Sequence, residues 1–243
     1  MLKAFIEHIQ KTTQPVIHEP DGVTYVVTSS GEAVELRPEI DAPDTLTLNS
    51  LDALVKLVRS EAVNTERSLY ITVPDHLTVL CFGPFHFEQR FARNYYYRAK
   101  ATDVPGWDAK VSLTFEEMQI ALRTRFQATE DTPYVQKLLS DISTGAKITY
   151  NDNGIATTVV TKKGIDLQSN QTIRPIVSLR PYRTFQEVEQ PESVFLIRIS
   201  DRGITFVEAD GGMWKLKARE TVKAFLDEQL APEVQSGTVI VAL

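Results

Sequence analysis

One segment combines basic and aromatic side chains in a pattern that could bind an anionic ligand. Residues 90–110 hold five basic residues, and four of these stand among five aromatic residues: Arg90, Phe91, Arg93, Tyr95, Tyr96, Tyr97, Arg98, Lys100 and Trp107. Basic groups contact phosphates and aromatic faces stack on bases, which is how proteins hold nucleotides and single strands. In an extended strand, Tyr96 would share a face with Arg98, opposite Tyr95 and Tyr97. The predicted ligand-binding residues of this segment are Arg90, Arg93, Tyr96, Arg98 and Lys100.

The same segment also has a purely structural interpretation. Tyrosine is a good strand former, so Tyr95 and Tyr97 could lie in the core while the arginines pair with an acidic N-terminal part. The charge distribution permits both interpretations, because residues 1–66 carry 11 acidic and 5 basic residues, whereas residues 90–183 carry 9 acidic and 14 basic residues. The overall pI of about 5.3 argues against a dedicated duplex-DNA binder.

A second basic cluster lies further along the chain. It consists of three arginines beside two prolines and a tyrosine: Arg174, Pro175, Arg180, Pro181, Tyr182 and Arg183. The prolines indicate a rigid corner, and guanidinium groups suit phosphate or carboxylate recognition. Arg180 and Arg183 are therefore further candidate ligand-binding residues. The favoured alternative is that these arginines pair with the nearby acids Glu187, Glu189 and Glu192.

The sequence offers no catalytic motif of the common hydrolase, protease or nucleotide-binding types. Strand alternation places Cys81 in an apolar row with Leu77 and Val79, which favours a buried structural cysteine over a nucleophile. His76, His86 and Glu88 lack a spacing that is diagnostic of a metal site. We therefore assign no catalytic residue, metal or cofactor, although a hydrolase with an unrecognised site remains an alternative.

Composition is that of a globular protein. The chain has 243 residues, of which 42% are hydrophobic and 24% charged, and a single cysteine excludes an internal disulfide framework. It contains no apolar run long enough for a membrane span, and residues 1–11 do not resemble a signal peptide because Glu7 and His8 interrupt the apolar run. We expect a cytoplasmic protein with no membrane partner.

Hydrophobic periodicity and turn residues predict an α+β fold. Helices are predicted at 2–9, 51–62 (capped by Asn49 or Ser50), 115–127 (a capping box of Thr114 and Glu117), 133–142 and 218–230, the last ended by Pro232. Strands are predicted at 23–28, 32–36, 68–73, 77–82, 94–101, 146–151, 155–161, 172–179, 193–200, 204–208 and 238–243. The order gives an N-terminal mixed α/β part over 1–112. Two helices, an antiparallel β-meander and a late helix follow over 113–243, with one continuous domain as the alternative.

Several stretches together resemble a known family. They are LDALVKLVRSE within 50–61, residues 69–80, LTFEEMQIALRTRF at 113–126, GAKITYNDNGIATTVVTKKGI within 138–165, and residues 191–200 and 204–225. Their order is similar to that of the YfdQ-like family of uncharacterised phage and prophage proteins, over roughly residues 50–226. The resemblance implies a phage or prophage origin and a possible setting near recombination functions, but no catalytic residues.

The function predicted from these features is non-catalytic binding. The protein would be a phage-encoded accessory in host–phage interplay that holds a host protein or a nucleotide-like ligand. The alternative is a single-stranded nucleic-acid-binding accessory of recombination that uses residues 90–110. An apolar last strand, residues 238–243, would be an aggregation hazard at an exposed edge, so we also expect a homo-oligomer.

Overall fold

The computed structural model describes residues 16–18, 24–27, 31–36, 44–65, 67–86, 92–109, 111–143, 147–152, 157–162, 168–200 and 203–243. Helices occur together with antiparallel and mixed sheets, and strands follow one another in runs, as in an α+β fold, which confirms the predicted fold class. The chain forms two compact units: residues 1–44 with 84–94, and residues 45–83 with 95–243. The boundary expected at residue 112 falls inside the larger unit. The helix predicted at 2–9 lies outside the described residues.

The smaller unit contains a three-stranded antiparallel sheet. Its strands are β1 (Val16–His18), β2 (Tyr25–Val27) and β3 (Ala33–Glu35). β2 pairs with β3 so that Val26 lies opposite Val34, which confirms the hairpin predicted around residues 29–31.

The first sheet of the larger unit has five strands in the order β15-β5-β6-β7-β4. The strands are β4 (Leu46–Leu48), β5 (Leu69–Asp75), β6 (Thr78–His86), β7 (Ala92–Lys100) and β15 (Val239–Ala242). β5 and β6 form the predicted antiparallel hairpin. Both outer strands, β4 and β15, are parallel to their neighbours β7 and β5.

Helices pack against one side of this sheet and form the first core. The helices are α1 (Leu51–Asn64), α4 (Trp214–Gln229) and the short α5 (Ala231–Gln235). Ser50 caps α1 by accepting the N–H of Ala53, as its sequence indicates. The buried stripe of α1 packs against alternate residues of β5, β6 and β7. The stripe consists of Leu51, Leu54, Val55 and Val58, and the strand residues are Leu69, Ile71, Val73, Val79, Cys81, Tyr97 and Ala99.

The second sheet has four strands in the order β14-β13-β12-β8. They are β8 (Phe126–Gln127), β12 (Ile176–Pro181), β13 (Ser193–Ser200) and β14 (Gly203–Glu208). Helices α2 (Phe115–Thr124) and α3 (Thr132–Ser143) cover it and build the second core with residues such as Leu139, Phe195 and Phe206. A third sheet, in the order β11-β10-β9, comprises β9 (Lys147–Asp152), β10 (Thr157–Lys162) and β11 (Gln168–Thr172).

Three predicted boundaries were wrong. The helix predicted to reach residue 127 ends at Thr124, because Phe126 pairs with Pro181 in the sheet. The strand predicted over 172–179 is divided between β11 and β12. The late helix begins at Trp214, four residues early. It ends before Pro232 as predicted, but this proline lies in the first turn of α5, where a missing N–H costs nothing.

The edge of the second sheet is closed by a close backbone approach at Gly203. Leu113 and Ile204 exchange backbone hydrogen bonds of 2.9 and 2.8 Å. Gly203 has a φ of +123°, and a Cβ there would lie 2.1 Å from the carbonyl oxygen of Leu113. Only glycine allows this conformation and this contact.

Candidate ligand-binding face

The last residues of β7 alternate between the first core and the opposite side of the sheet. Tyr97 and Ala99 are buried, whereas Arg98 and Lys100 are exposed. Within the part of the chain that the structure describes, neither cation has an acidic partner. Both side chains are therefore accessible, and the ligand-binding role assigned to Arg98 and Lys100 stays a prediction.

The alternation predicted for the tyrosines was wrong, because it is interrupted between Tyr95 and Tyr97. Tyr97 is buried, and Tyr96 packs against the same first core with its ring centroid 6.3 Å from that of Tyr97. The ring of Tyr96 lies over Gly83, where a Cβ would be 2.5 Å from Cζ of the tyrosine. Tyr96 thus fills space beside a glycine on the core side and does not share a face with Arg98.

A hydrogen bond fixes the inward tyrosine. The hydroxyl of Tyr97 donates to Oε1 of Glu61 at 2.8 Å. Burial, followed by this hydrogen bond to the carboxylate, raises the pKa of Tyr97. The neutral phenol is therefore the stable form, and the residue anchors β7 to α1.

Tyr95 is the tyrosine that faces away from the core. It is 44% exposed, and its ring centroid is 4.5 Å from that of Phe82. Phe82 lies opposite Tyr70 in the β5–β6 register, and Tyr70 lies opposite Ile240 of β15. An apolar and largely aromatic row therefore crosses the sheet from β15 to β7.

We call the side of the first sheet opposite the first core the open face, and define it by five residues: Tyr70, Phe82, Tyr95, Arg98 and Lys100. Aromatic rings on adjacent strands provide a stacking surface, and two cations at its margin attract phosphate. Among the described residues, the open face thus combines an aromatic surface with two exposed basic side chains.

Cys81 is on the other side of the same strand. It is fully buried in the first core, as predicted, and burial raises the pKa of its thiol to about 12. A thiol with such a pKa is protonated at neutral pH and is a poor nucleophile, so Cys81 offers no support for the hydrolase alternative.

The second basic cluster is internally paired. Nη1 of Arg180 is 2.9 Å from Glu189 and its Nη2 is 3.0 Å from Glu192, which confirms that part of the favoured alternative. Arg174 pairs with Asp131 at 2.6 Å. The third nearby acid, Glu187, accepts the N–H of Leu51 at the start of α1 and pairs with none of the arginines in the described ranges.

Arg183 is buried, with only 4% of its surface exposed. Its Nη2 donates to Glu208 at 2.5 Å and its Nη1 to Ser193 at 3.1 Å. The guanidinium carbon lies 4.3 Å from the ring centroid of Trp214, within the range of a cation–π contact. Burial lowers the pKa of Arg183 and the Glu208 carboxylate opposes that shift. The expected exposed corner was wrong for this residue, whose guanidinium is directed into the protein.

Residues distant in sequence complete the surroundings of Arg183. The His76 ring meets Trp214 edge-on at 4.8 Å, and the Thr184 hydroxyl donates to the carbonyl of His76 at 2.5 Å. Burial lowers the pKa of His76, aided by the nearby cations Lys215 and Arg183 and opposed by Asp75, so this histidine is neutral at neutral pH. No local spacing connects residues more than 100 positions apart, so sequence reasoning missed this cluster.

A cavity of about 330 Å³ lies at the start of α1. Its lining includes Asn49, Asp103, Phe185 and Glu187. Two carboxylates make this cavity unsuited to phosphate, so it adds nothing to the predicted anion recognition.

The remaining candidate residues are partly or wholly outside the described residues. Arg90 and Glu88 are among them, as is the side chain of His86. Arg93 lies in β7 within the smaller unit and is half-buried.

In the described ranges, no three of the ligand types His, Cys, Asp and Glu converge as a metal site would require. None of the helices there is long and apolar enough to span a bilayer.

No family model, curated protein or solved structure matches this chain. The resemblance to YfdQ-like phage proteins accordingly stays a prediction, and the arrangement of side chains carries the functional argument.

Proposed function

We propose that this protein is a non-catalytic binding protein that takes a nucleotide-like ligand on the open face. The observation that supports the proposal best is that Arg98 and Lys100 are exposed further along the strand that carries Tyr95 and have no acidic partner in the described chain, whereas Arg180 and Arg183 are paired. An unpaired arginine can offer its full guanidinium fork to a phosphate. The exposed ring of Tyr95 supplies the flat surface on which a base would stack.

A single-stranded nucleic acid is the second candidate ligand. The aromatic row extends over several adjacent strands and is not confined to one pocket, so successive bases could stack along it. The proposed biological setting, an accessory protein of phage or prophage origin that interacts with the host cell, comes from the YfdQ-like resemblance alone. An interaction with a host protein is part of that same proposal, as is a cytoplasmic location.

Binding titrations with matched variants test the proposal. A labelled single-stranded DNA oligonucleotide and a labelled cyclic dinucleotide would be titrated with wild type, Arg98→Ala, Tyr95→Ala and Arg123→Ala, at low and high salt. Arg123 is exposed on α2 and provides the same change of charge away from the open face. We expect Arg98→Ala and Tyr95→Ala to weaken binding at least about tenfold, the effect of losing one charge-assisted bond or one stacked base.

The pattern across the two ligands distinguishes the candidates. Binding of the dinucleotide with little dependence on salt supports the nucleotide-like ligand, and binding of the oligonucleotide that weakens steeply with salt supports the single strand. Equal loss in Arg98→Ala and Arg123→Ala would show non-specific charge attraction. That result, or no binding of either ligand by wild type, would overturn the proposal.

A further inference from the structure

The outer edge of β15 is an unpaired strand edge. The strand is parallel to β5, with Val239 opposite Leu69 and Ile240 opposite Tyr70. In the part of the chain that the structure describes, β5 is the only strand that pairs with β15. One side of β15 therefore presents backbone N–H and C=O groups with no strand to receive them.

The hydrogen-bond pattern identifies which residues have outward backbone groups. The carbonyl of Thr238 accepts the N–H of Leu69 at 2.8 Å. Backbone groups in a parallel ladder alternate in direction from one residue to the next, so Ile240 also bonds to β5. The N–H and C=O groups of Val239 and Val241 consequently point to the outer edge.

The side chains of β15 contain none of the features that prevent strands from associating. Natural edge strands use charged residues, especially lysine, and proline for this purpose. The strand Val239–Ala242 has neither. Val239 is buried and Val241 packs against the first core, whereas Ile240 is 43% exposed on the side of the open face. The strand thus has uncharged side chains, and Val239 and Val241 pack against the core beneath it.

We infer that β15 pairs antiparallel with β15 of a second copy of this chain, about a twofold axis at Ile240. Val239 of each copy would then exchange backbone hydrogen bonds with Val241 of the other. A second copy is the partner that fits, because an uncharged strand is complementary to itself and an antiparallel pair of identical strands is closed by twofold symmetry. The two first sheets become one, and the aromatic rows of both copies meet at Ile240.

This arrangement gives a sharp distance test. The two Ile240 residues would form a pair without mutual hydrogen bonds, for which the Cα atoms are about 4.5 Å apart, a separation that a disulfide can span. The two Leu243 residues would be about 20 Å apart, six residues along an antiparallel pair. Ile240→Cys should therefore form a disulfide-linked dimer under mild oxidation, and Leu243→Cys, also at an exposed position, should not. Cys81 is buried and does not interfere.

The solution mass provides a second and independent measurement. Sedimentation of the wild type over a wide concentration series should show conversion from the chain mass of 27.3 kDa to twice that value. Ile240→Lys places two like charges on the axis and should give only the single chain, with the melting temperature unchanged within a few degrees at low protein concentration. Leu243→Lys is the matched control and should still dimerise.

Two results would overturn the inference: a wild type that stays at the single-chain mass at every concentration, or a dimer that persists in Ile240→Lys while Ile240→Cys fails to cross-link. Neither measurement involves a nucleotide, so this inference can fail without affecting the proposed ligand site, and the reverse also holds.

Discussion

The two large sheets of this protein differ in whether their basic side chains and their edge strands have partners. In the second sheet, Arg180 and Arg183 have carboxylate partners, and the edge strand β14 is bridged by Leu113. In the first sheet, among the described residues, Arg98 and Lys100 have no acidic partner and the outer side of β15 has no pairing strand. The comparison teaches that a basic cluster in sequence indicates a binding surface only when tertiary structure leaves its charges unpaired.

The largest expected effect tests whether the second sheet is held by its core. Leu139 is fully buried in α3, so Leu139→Ala should lower the free energy of unfolding by roughly 2–5 kcal/mol, the usual cost of removing a buried leucine side chain. Chemical denaturation measures it, with Ile120→Ala as a control, because Ile120 is 54% exposed on α2. A loss below about 1 kcal/mol would mean that this stripe of α3 does not support the sheet.

The bridge between Leu113 and Ile204 at the edge of β14 depends on one residue, Gly203. Gly203→Ala should cost about 2–4 kcal/mol, since the added Cβ meets the Leu113 carbonyl and the positive φ is strained. Gly211→Ala is the matched control, because Gly211 has a positive φ of +64° but open space around it. If both variants lose equal stability, the backbone angle alone is responsible and the close approach of Leu113 contributes nothing.

The ion pairs of the second basic cluster predict that replacing Arg183 and replacing Arg180 will lower stability by unequal amounts. Arg183→Met should destabilise by about 2–3 kcal/mol, below the full cost of breaking a buried ion pair because Glu208 keeps partial access to water. Arg180→Met should cost under about 1 kcal/mol, since its partners are largely at the surface. Thermal unfolding of both variants at one pH provides the measurement, and equal losses would contradict the buried role of Arg183.

The pH dependence of stability tests a further ion pair, that of Asp131 with Arg174. Asp131 accepts the N–H of Ser178 and pairs with Arg174, and these contacts lower the pKa of its carboxyl below the ordinary value of 3.8. The stability from this group is present above that ordinary value and is lost as the pH falls through the lowered native pKa. Asp131→Asn should be about 1 kcal/mol less stable at neutral pH, and the difference from wild type should shrink in acid. A difference that is constant with pH would exclude the ionised carboxylate as its source.

The smallest expected effect belongs to the first sheet. Arg98→Ala should change the free energy of unfolding by less than about 0.5 kcal/mol, because the side chain is exposed and has no acidic partner among the residues that the structure describes. The same variant is expected to lose ligand binding, so stability and affinity should separate. A clear fall in melting temperature would instead place Arg98 in the structural framework.

The sequence predicted most of the individual elements because their signals are local. The capping box of Thr114 and Glu117 is present, and so are the buried stripe of α1 and the hairpin of β5 and β6. The candidate site was only partly predicted. Arg98 and Lys100 follow strand alternation, but Tyr96 does not, because the space over Gly83 depends on a neighbouring strand. The partners of Arg183 are set by pairing between β12, β13 and β14 and by the position of α4, which no local pattern contains.

The two cores draw on different stretches of the chain, which are synthesised at different times. The second core uses residues within 118–206, so it can assemble soon after that stretch leaves the ribosome. The first core joins residues 51–101 to Phe185, Val188 and the α4–β15 region. More than 100 residues after residue 101 must therefore be synthesised before its sheet is complete. Until then β5 lacks the partner strand that finally covers its edge, and this nascent sheet is the part of the molecule for which we expect a need for chaperone protection. β15, the last strand of the sheet to be synthesised, is thus the one that covers the edge of β5.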